Sequence, residues 1–80
     1  MNMKLLLYGT SACHLCEQAE VLLQSLDLSW DKIDIADDKQ LMHSYELKIP
    51  VLYQPDTHAK LCWPFSGADI LGWLENAKSR

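Results

Sequence analysis

The order of apolar patterns along this chain predicts an α/β domain, β-α-β-α-β-β-α, with a four-stranded mixed sheet flanked by helices. Three observations carry the prediction: a nearly continuous apolar run from Met3 to Tyr8, a Cys13-His14-Leu15-Cys16 motif at the start of an amphipathic stretch, and Ile49-Pro50-Val51 opening a later apolar run. A run without alternation suits a strand buried on both faces of a parallel sheet. A proline is tolerated at the first residue of a strand, where its missing N–H breaks no interior ladder.

Each element follows from its local pattern. After the Met3–Tyr8 strand, a helix begins at Ser11 or Ala12 and runs to Leu26. Its apolar residues Leu15, Ala19, Leu22, Leu23 and Leu26 recur at helical spacing, opposite Glu17, Gln18, Glu20, Gln24 and Ser25. Ser29 to Ile35 reads as a strand in which Trp30 has the wrong parity to share a face with Ile33 and Ile35, so a bulge or a late start is expected. Asp37 is the expected N-cap of a short helix carrying Leu41, Met42 and Tyr45, enough chain for a parallel crossover. That helix must stop before Ile49, because a residue preceding proline is pushed out of the helical region. Val51–Gln54 and Ala59–Trp63 flank Pro55-Asp56-Thr57-His58, which is turn composition, so they read as an antiparallel hairpin. Ser66 caps a final helix with Ile70, Leu71, Leu74 and Ala77 on one face and Trp73 at its margin.

Eighty residues make one domain, 1–80, and 49% hydrophobic content is enough to attempt a core without staples. Three cysteines are too few for a secreted disulfide scaffold, and an odd Cys62 would be left over outside a reducing compartment, so a cytoplasmic protein is expected. No signal peptide or membrane span is expected, since the apolar residues Leu5 to Tyr8 give way at once to Gly9-Thr10-Ser11. Seven Lys and Arg against eleven Asp and Glu give a net charge of −4. Nucleic acid is therefore not an expected partner, and an anionic ligand would need local Lys or Arg to oppose the global field.

Cys13 and Cys16 place two thiols one helical turn apart where a strand passes into a helix. Free backbone N–H groups and the helix dipole stabilise a thiolate at that first position, and the thiolate is the nucleophile of disulfide exchange. Cys13 precedes the amphipathic stretch and is the more exposed; Cys16 faces inward near Ala19 and Leu23. The competing readings are metal ligation and incidental core cysteines. A structural zinc site wants four ligands, usually two close pairs, and there is no second pair. His14, between the thiols, either stabilises the thiolate as an imidazolium or is simply solvated. Cys62 reads as a buried small hydrophobe. Trp30, Trp63 and Trp73 read as packing residues, with Trp63-Pro64-Phe65 a candidate rim of the site. His43 and His58 carry no assigned role.

Three segments together resemble the glutaredoxins, the small version of the thioredoxin fold: Tyr8-Gly9-Thr10-Ser11-Ala12-Cys13-His14-Leu15-Cys16, Lys48-Ile49-Pro50-Val51-Leu52 and Ser66-Gly67-Ala68-Asp69. The chain is most similar to small bacterial glutaredoxin-like proteins with this type of site and a short acidic second helix. The resemblance implies a cis Ile49-Pro50 bond packed against the cysteines, with the backbone of Ile49 hydrogen-bonding an extended substrate. It further implies that Ser66, Gly67, Ala68 and Asp69 receive the γ-glutamyl end of glutathione, Asp69 facing an ammonium and the helix-start N–H groups a carboxylate. Equally, Asp69 reads as an ordinary first-turn acid. The chain departs from the family pattern at Thr10, where glutathione-using members carry Lys or Arg; Lys39 and Lys48 are substitutes at other places.

The function expected is a thiol–disulfide oxidoreductase in which Cys13 attacks and Cys16 resolves, with His14 and Pro50 completing the catalytic set. No cofactor is expected, and glutathione is a candidate co-substrate. The expected partners are a disulfide-containing protein or small molecule and a recycling reductant, with the chain monomeric and not bound to membrane. The alternative is a non-catalytic redox-sensing or protein-binding module that holds a partner through Ile49 and the Trp63–Gly67 region. A third reading is an iron–sulfur or zinc centre shared between two chains through Cys13.

Overall fold

The apolar run near the N-terminus forms the strand that everything else is built around. In the computed structural model of the chain, which describes residues 4–11 and 13–78, that strand is β1 (Leu6–Gly9). It is followed by α1 (His14–Ser25), β2 (Asp31–Asp34), a 3₁₀ turn at Ile35–Asp37, α2 (Lys39–Tyr45), β3 (Val51–Gln54), β4 (Ala59–Cys62) and α3 (Gly67–Lys78). The order is β-α-β-α-β-β-α on a four-stranded sheet arranged β2-β1-β3-β4. β1 runs parallel to β2 and antiparallel to β3, and β3 is antiparallel to β4, so the sheet is mixed.

Two apolar layers explain why β1 does not alternate with polar residues. On one side Leu5, Leu7 and Leu52 pack with Ala19 and Leu23 of α1, Phe65, and Ile70 and Leu74 of α3. On the other side Tyr8, Ile35 and Val51 pack with Leu41, Met42 and Tyr45 around α2. Successive strand residues point to opposite faces, so an interior strand covered by both layers must be apolar at every position.

Several boundaries differ from the sequence pattern, each for a local reason. α1 begins at His14, with Cys13 as an extended N-cap, and Ser11 lies in a turn. The alternative start at Ala12, like Met3 of the first strand, lies outside the described residues, as does the Ala77 side chain. β2 makes the late start: Trp30 precedes the ladder and packs into the α1/α3 layer, while Ile33 and Ile35 belong to the α2 layer, which resolves the parity conflict. The cap of α2 is Asp38, not Asp37. Asp38 Oδ1 accepts the N–H groups of Gln40 (2.9 Å) and Leu41 (3.2 Å), whereas Asp37 lies inside the 3₁₀ turn that Asp34 caps by accepting the Ala36 N–H (2.9 Å).

The hairpin forms as the turn composition predicts, with the Thr57 and His58 N–H groups donating to Gln54 O at 3.3 and 2.8 Å. β4 ends at Cys62 instead of Trp63. Cys62 is exposed, contrary to the expected buried position. Its neighbour Leu61 points into the α1/α3 layer, so Cys62 faces the opposite side on an edge strand, where the seven-residue α2 offers no cover. Leu15 and Leu71, both expected on core faces, are 42% and 51% exposed. Leu71 sits about 100° round the helix from the buried Ile70, which takes it off the sheet. Among the described residues no helix is long and apolar enough to cross a membrane.

The reassigned cap gives a direct test. Asp38→Ala should lower the unfolding free energy by about 0.5–2 kcal/mol in urea denaturation, since it strips an oxygen from two helix-start N–H groups. Asp37→Ala should cost clearly less.

Candidate active site

The sheet register assembles a row of backbone at one end of the molecule. Gly9, the last residue of β1, pairs with Asp34 of β2. On its other side Tyr8 pairs with Val51, so one further step of the antiparallel register sets Gly9 across from Pro50. The same step from Val51 and Cys62 sets Pro50 across from Trp63, and the Trp63 N–H donates to Pro50 O at 3.1 Å. Asp34, Gly9, Pro50 and Trp63 thus follow one another across the sheet end. Pro50 is fully buried, and the Ile49-Pro50 and Trp63-Pro64 peptide bonds are both cis.

The cysteine pair meets this row at Gly9, against which Cys16 lies. Cys13 and Cys16 are disulfide-bonded with their Cα atoms 5.2 Å apart. Cys13 is half-buried and Cys16 is 1% exposed, so the sulfur that meets solvent belongs to Cys13. Cys13 Sγ accepts the backbone N–H of Cys16 at 3.1 Å, and Cys13 O accepts the N–H of Glu17 at 3.2 Å. Cys13 is therefore the N-cap of α1 through its sulfur. One of the helix-start N–H groups points at that atom, and the helix dipole adds to it, so negative charge on Cys13 is favoured once the pair is reduced.

Gly9 joins the cysteines to the sheet. A Cβ placed on Gly9 would lie 2.7 Å from Cys16 Sγ and 3.3 Å from Cys16 Cβ, so only a glycine leaves room for the sulfur. Its φ is not positive, which makes the requirement one of space and not of backbone conformation. The sequence pattern marked Gly9 only as part of the segment leading to the motif; the available signal was a glycine closing an apolar strand directly before it.

The remaining candidate residues divide. His14 is largely exposed, its Nδ1 3.7 Å from Glu17 Oε2, where solvent screens its influence on the sulfur. Ile49 packs against the α2 layer and donates its N–H to Tyr45 O at 3.1 Å. Ser66 and Asp69 cap each other: Ser66 N–H donates to Asp69 Oδ2 (2.9 Å) and Asp69 N–H to Ser66 Oγ (3.2 Å). Gly67 lies beside Leu26, the C-cap of α1. Trp63 rests edge-on against Phe65, ring centroids 5.0 Å apart. Lys39 and Lys48 are exposed and Thr10 half-buried.

Behind the row, on the α2 side, Tyr8 stacks with Tyr45 (5.0 Å) and Tyr53 (5.9 Å), and Lys60 Nζ lies 5.3 Å over the Tyr45 ring. Burial pushes the Tyr8 phenol above its ordinary value, with Tyr45 and Tyr53 adding to the rise. Tyr8 is a neutral packing residue at physiological pH, and it anchors the strand end that carries Gly9. Among the described residues no group of three or more His, Cys, Asp and Glu side chains is placed to hold a metal ion.

Comparison with known proteins agrees with this geometry. The glutaredoxin-like domain matches residues 4–75. The crystal structure of structural-genomics target protein XcR50 from X. campestris is 37% identical and superposes with a TM-score of 0.82, covering 90% of this chain and 96% of that one. The solution structure of protein Ne2328 from Nitrosomonas europaea is 30% identical, with a TM-score of 0.77 over 90% of this chain and 89% of that one. Thioredoxin 1 from Thermosipho africanus, at 14% identity, shares the fold alone, with a TM-score of 0.63 and 96% of each chain covered. Among curated proteins none matches.

Two thiol measurements follow. In the oxidised protein, a thiol reagent applied without denaturant should label Cys62 and neither motif cysteine, read by peptide mass spectrometry. After reduction, alkylation should reach the half-buried Cys13 well before the buried Cys16. Labelling of Cys16 first would contradict the assigned geometry.

Proposed function

We propose that this chain, which belongs to the glutaredoxin-like domain family, is a thiol–disulfide oxidoreductase acting through Cys13 and Cys16. The observation that carries the proposal is the Cys13 sulfur itself. It is the solvent-side member of a disulfide pair and accepts the first-turn N–H of α1. A structural disulfide has no need of that placement, whereas a nucleophile does.

The reaction balances without a prosthetic group. The Cys13 thiolate attacks one sulfur of a substrate disulfide; that S–S bond breaks, a Cys13–substrate disulfide forms, and a substrate thiolate leaves. Cys16 then gives up its proton to the departing thiolate or to water and attacks Cys13 Sγ. The second substrate thiolate departs, and the protein is left oxidised as the Cys13–Cys16 disulfide. An electron pair has passed from the protein dithiol to the substrate. An external thiol reductant reverses the sequence.

The neighbouring residues support this cycle. The Pro50 carbonyl is held by Trp63, and the carbonyl of Ile49 is the proposed partner of an extended substrate beside the sulfurs. Glutathione is the proposed reductant, its thiol exchanging at Cys13 and its γ-glutamyl end proposed for the α3 start. Asp69 Oδ2 is engaged by Ser66, so its other oxygen would receive the ligand ammonium. The proposed setting is the reducing cytoplasm, where a dithiol can be regenerated.

Cys13→Ser should abolish reduction of a generic disulfide, while Cys16→Ser should lose turnover and accumulate a mixed disulfide visible by mass spectrometry. If reduced wild-type protein binds partners but reduces no disulfide, the chain is a binding module instead. Asp69→Ala should raise the glutathione concentration needed for turnover while leaving turnover with a small synthetic dithiol unchanged. An unaltered glutathione requirement would return Asp69 to its capping role alone.

A further inference from the structure

We infer that Gly9 is the positioning residue for the resolving sulfur: the bare backbone at the end of β1 is the seat of Cys16 Sγ, and a side chain there would hold that sulfur off Cys13. The inference rests on the dithiol reading above and extends it to a residue outside the motif.

Neither backbone in this contact can yield. Gly9 is fixed by its place in the ladder, between its pairing with Asp34 and the Pro50 position, and it continues a strand whose Leu7 and Tyr8 are buried in opposite layers. Cys16 is fixed by α1, whose next residues on the same stripe, Ala19 and Leu23, have no solvent exposure. The strand end and the helix therefore close on each other across one sulfur. A methyl group on Gly9 would come 2.7 Å from Sγ, a separation that real Cβ atoms essentially never show, and 3.3 Å from Cys16 Cβ. Lifting the first turn of α1 would strain the packing of Ala19 and Leu23. The least costly response is rotation of the Cys16 side chain. In the oxidised protein that sulfur is bonded to Cys13 and cannot turn away, while in the dithiol it can.

An alanine at this position consequently acts on one half of the chemistry. Attack by Cys13 on substrate needs only the half-buried Cys13 sulfur and the α1 N–H, neither of which touches Gly9. Resolution needs Cys16 Sγ in line with the mixed disulfide, and a displacement of about 1 Å from such geometry can cost on the order of a hundredfold. The disulfide form should also lose ground to the dithiol at equilibrium, because only the disulfide form is pinned against the added methyl.

The experiment compares wild type with Gly9→Ala, using a small aromatic disulfide whose two thiolates are released in separate steps. The expected result is first-step release and Cys13 alkylation rates within about twofold of wild type, with second-step release slowed roughly ten- to a hundredfold. In glutathione redox buffers the variant should remain reduced at oxidised-to-reduced ratios that oxidise the wild type. Equal second-step rates in an actively turning-over wild type and in Gly9→Ala would overturn the inference while leaving the oxidoreductase reading standing. A wild type that reduces nothing would defeat that reading. In that case, and also if Gly9→Ala folds poorly, unfolding measurements in the Cys16→Ala background decide the seat itself. Removing the sulfur should relieve most of the destabilisation caused by Gly9→Ala; an undiminished penalty would mean that the strand, and not the sulfur, requires the glycine.

Discussion

The junction between the end of β1 and the first turn of α1 is the constraint on which the rest of the site depends. Helix starts leave N–H groups without intrahelical partners, and most chains satisfy them with an oxygen from Ser, Thr, Asp or Asn. Here the cap of α1 is a sulfur, as Cys13 Sγ receives the Cys16 N–H. The interaction that starts the helix therefore also acts on the solvent-side sulfur of the disulfide pair. An anionic sulfur is a better acceptor than a neutral one, so the same cap contact would be stronger to a thiolate than to the disulfide sulfur. The structural and chemical roles share one atom.

The sheet supplies what the helix cannot. α1 can orient Cys13, but the partner surfaces for a substrate come from strands that are remote in sequence. β1 and β3 are antiparallel neighbours, and that single pairing carries Pro50 to the strand end that bears Gly9. β4 then brings Trp63 beside Pro50, held by one backbone hydrogen bond. All four strands are only four residues long, so each contributes little ladder, and the two apolar layers on either face do most of the fixing. A small loss in either layer would be felt at the site, because the short strands that carry the row are held between those layers.

The element order was legible because periodicity survives packing: the unbroken run at β1, the Ala19–Leu23 stripe and the turn at Pro55–His58 each have one reading. The boundaries were less so. Asp37 and Asp38 are equivalent caps by composition, and only the 3₁₀ turn that absorbs Asp37 decides between them. Cysteine is not a usual cap, so the pattern put the start of α1 at Ser11 or Ala12 and not at Cys13. The exposure of Cys62 could not be read from its strand, since it depends on how far a short α2 on the opposite face extends. Gly9 was visible as a glycine but not as a contact, because its reason lies in a sulfur seven positions away. The Ser66–Asp69 segment could be read as a cap or as a ligand site, and the reciprocal hydrogen bonds make the first of these definite without consuming the second carboxylate oxygen of Asp69.

The remaining question is whether the fold needs the Cys13–Cys16 bond, and loop length answers it. A disulfide stabilises chiefly by restricting the unfolded chain, and the effect grows with the loop it closes. This one spans a sequence separation of 3, for which the chain-entropy relation gives only about 2 kcal/mol. It also lies within a turn that is already held by the Glu17 N–H on Cys13 O and packed through Ala19 and Leu23. Breaking it releases no distant segment. The core layers, the hairpin and the α3 capping box all lie outside the short loop that the bond closes. With one sulfur on the solvent side and the other buried against Gly9, the bond belongs to the local geometry of the α1 start and not to the framework of the fold.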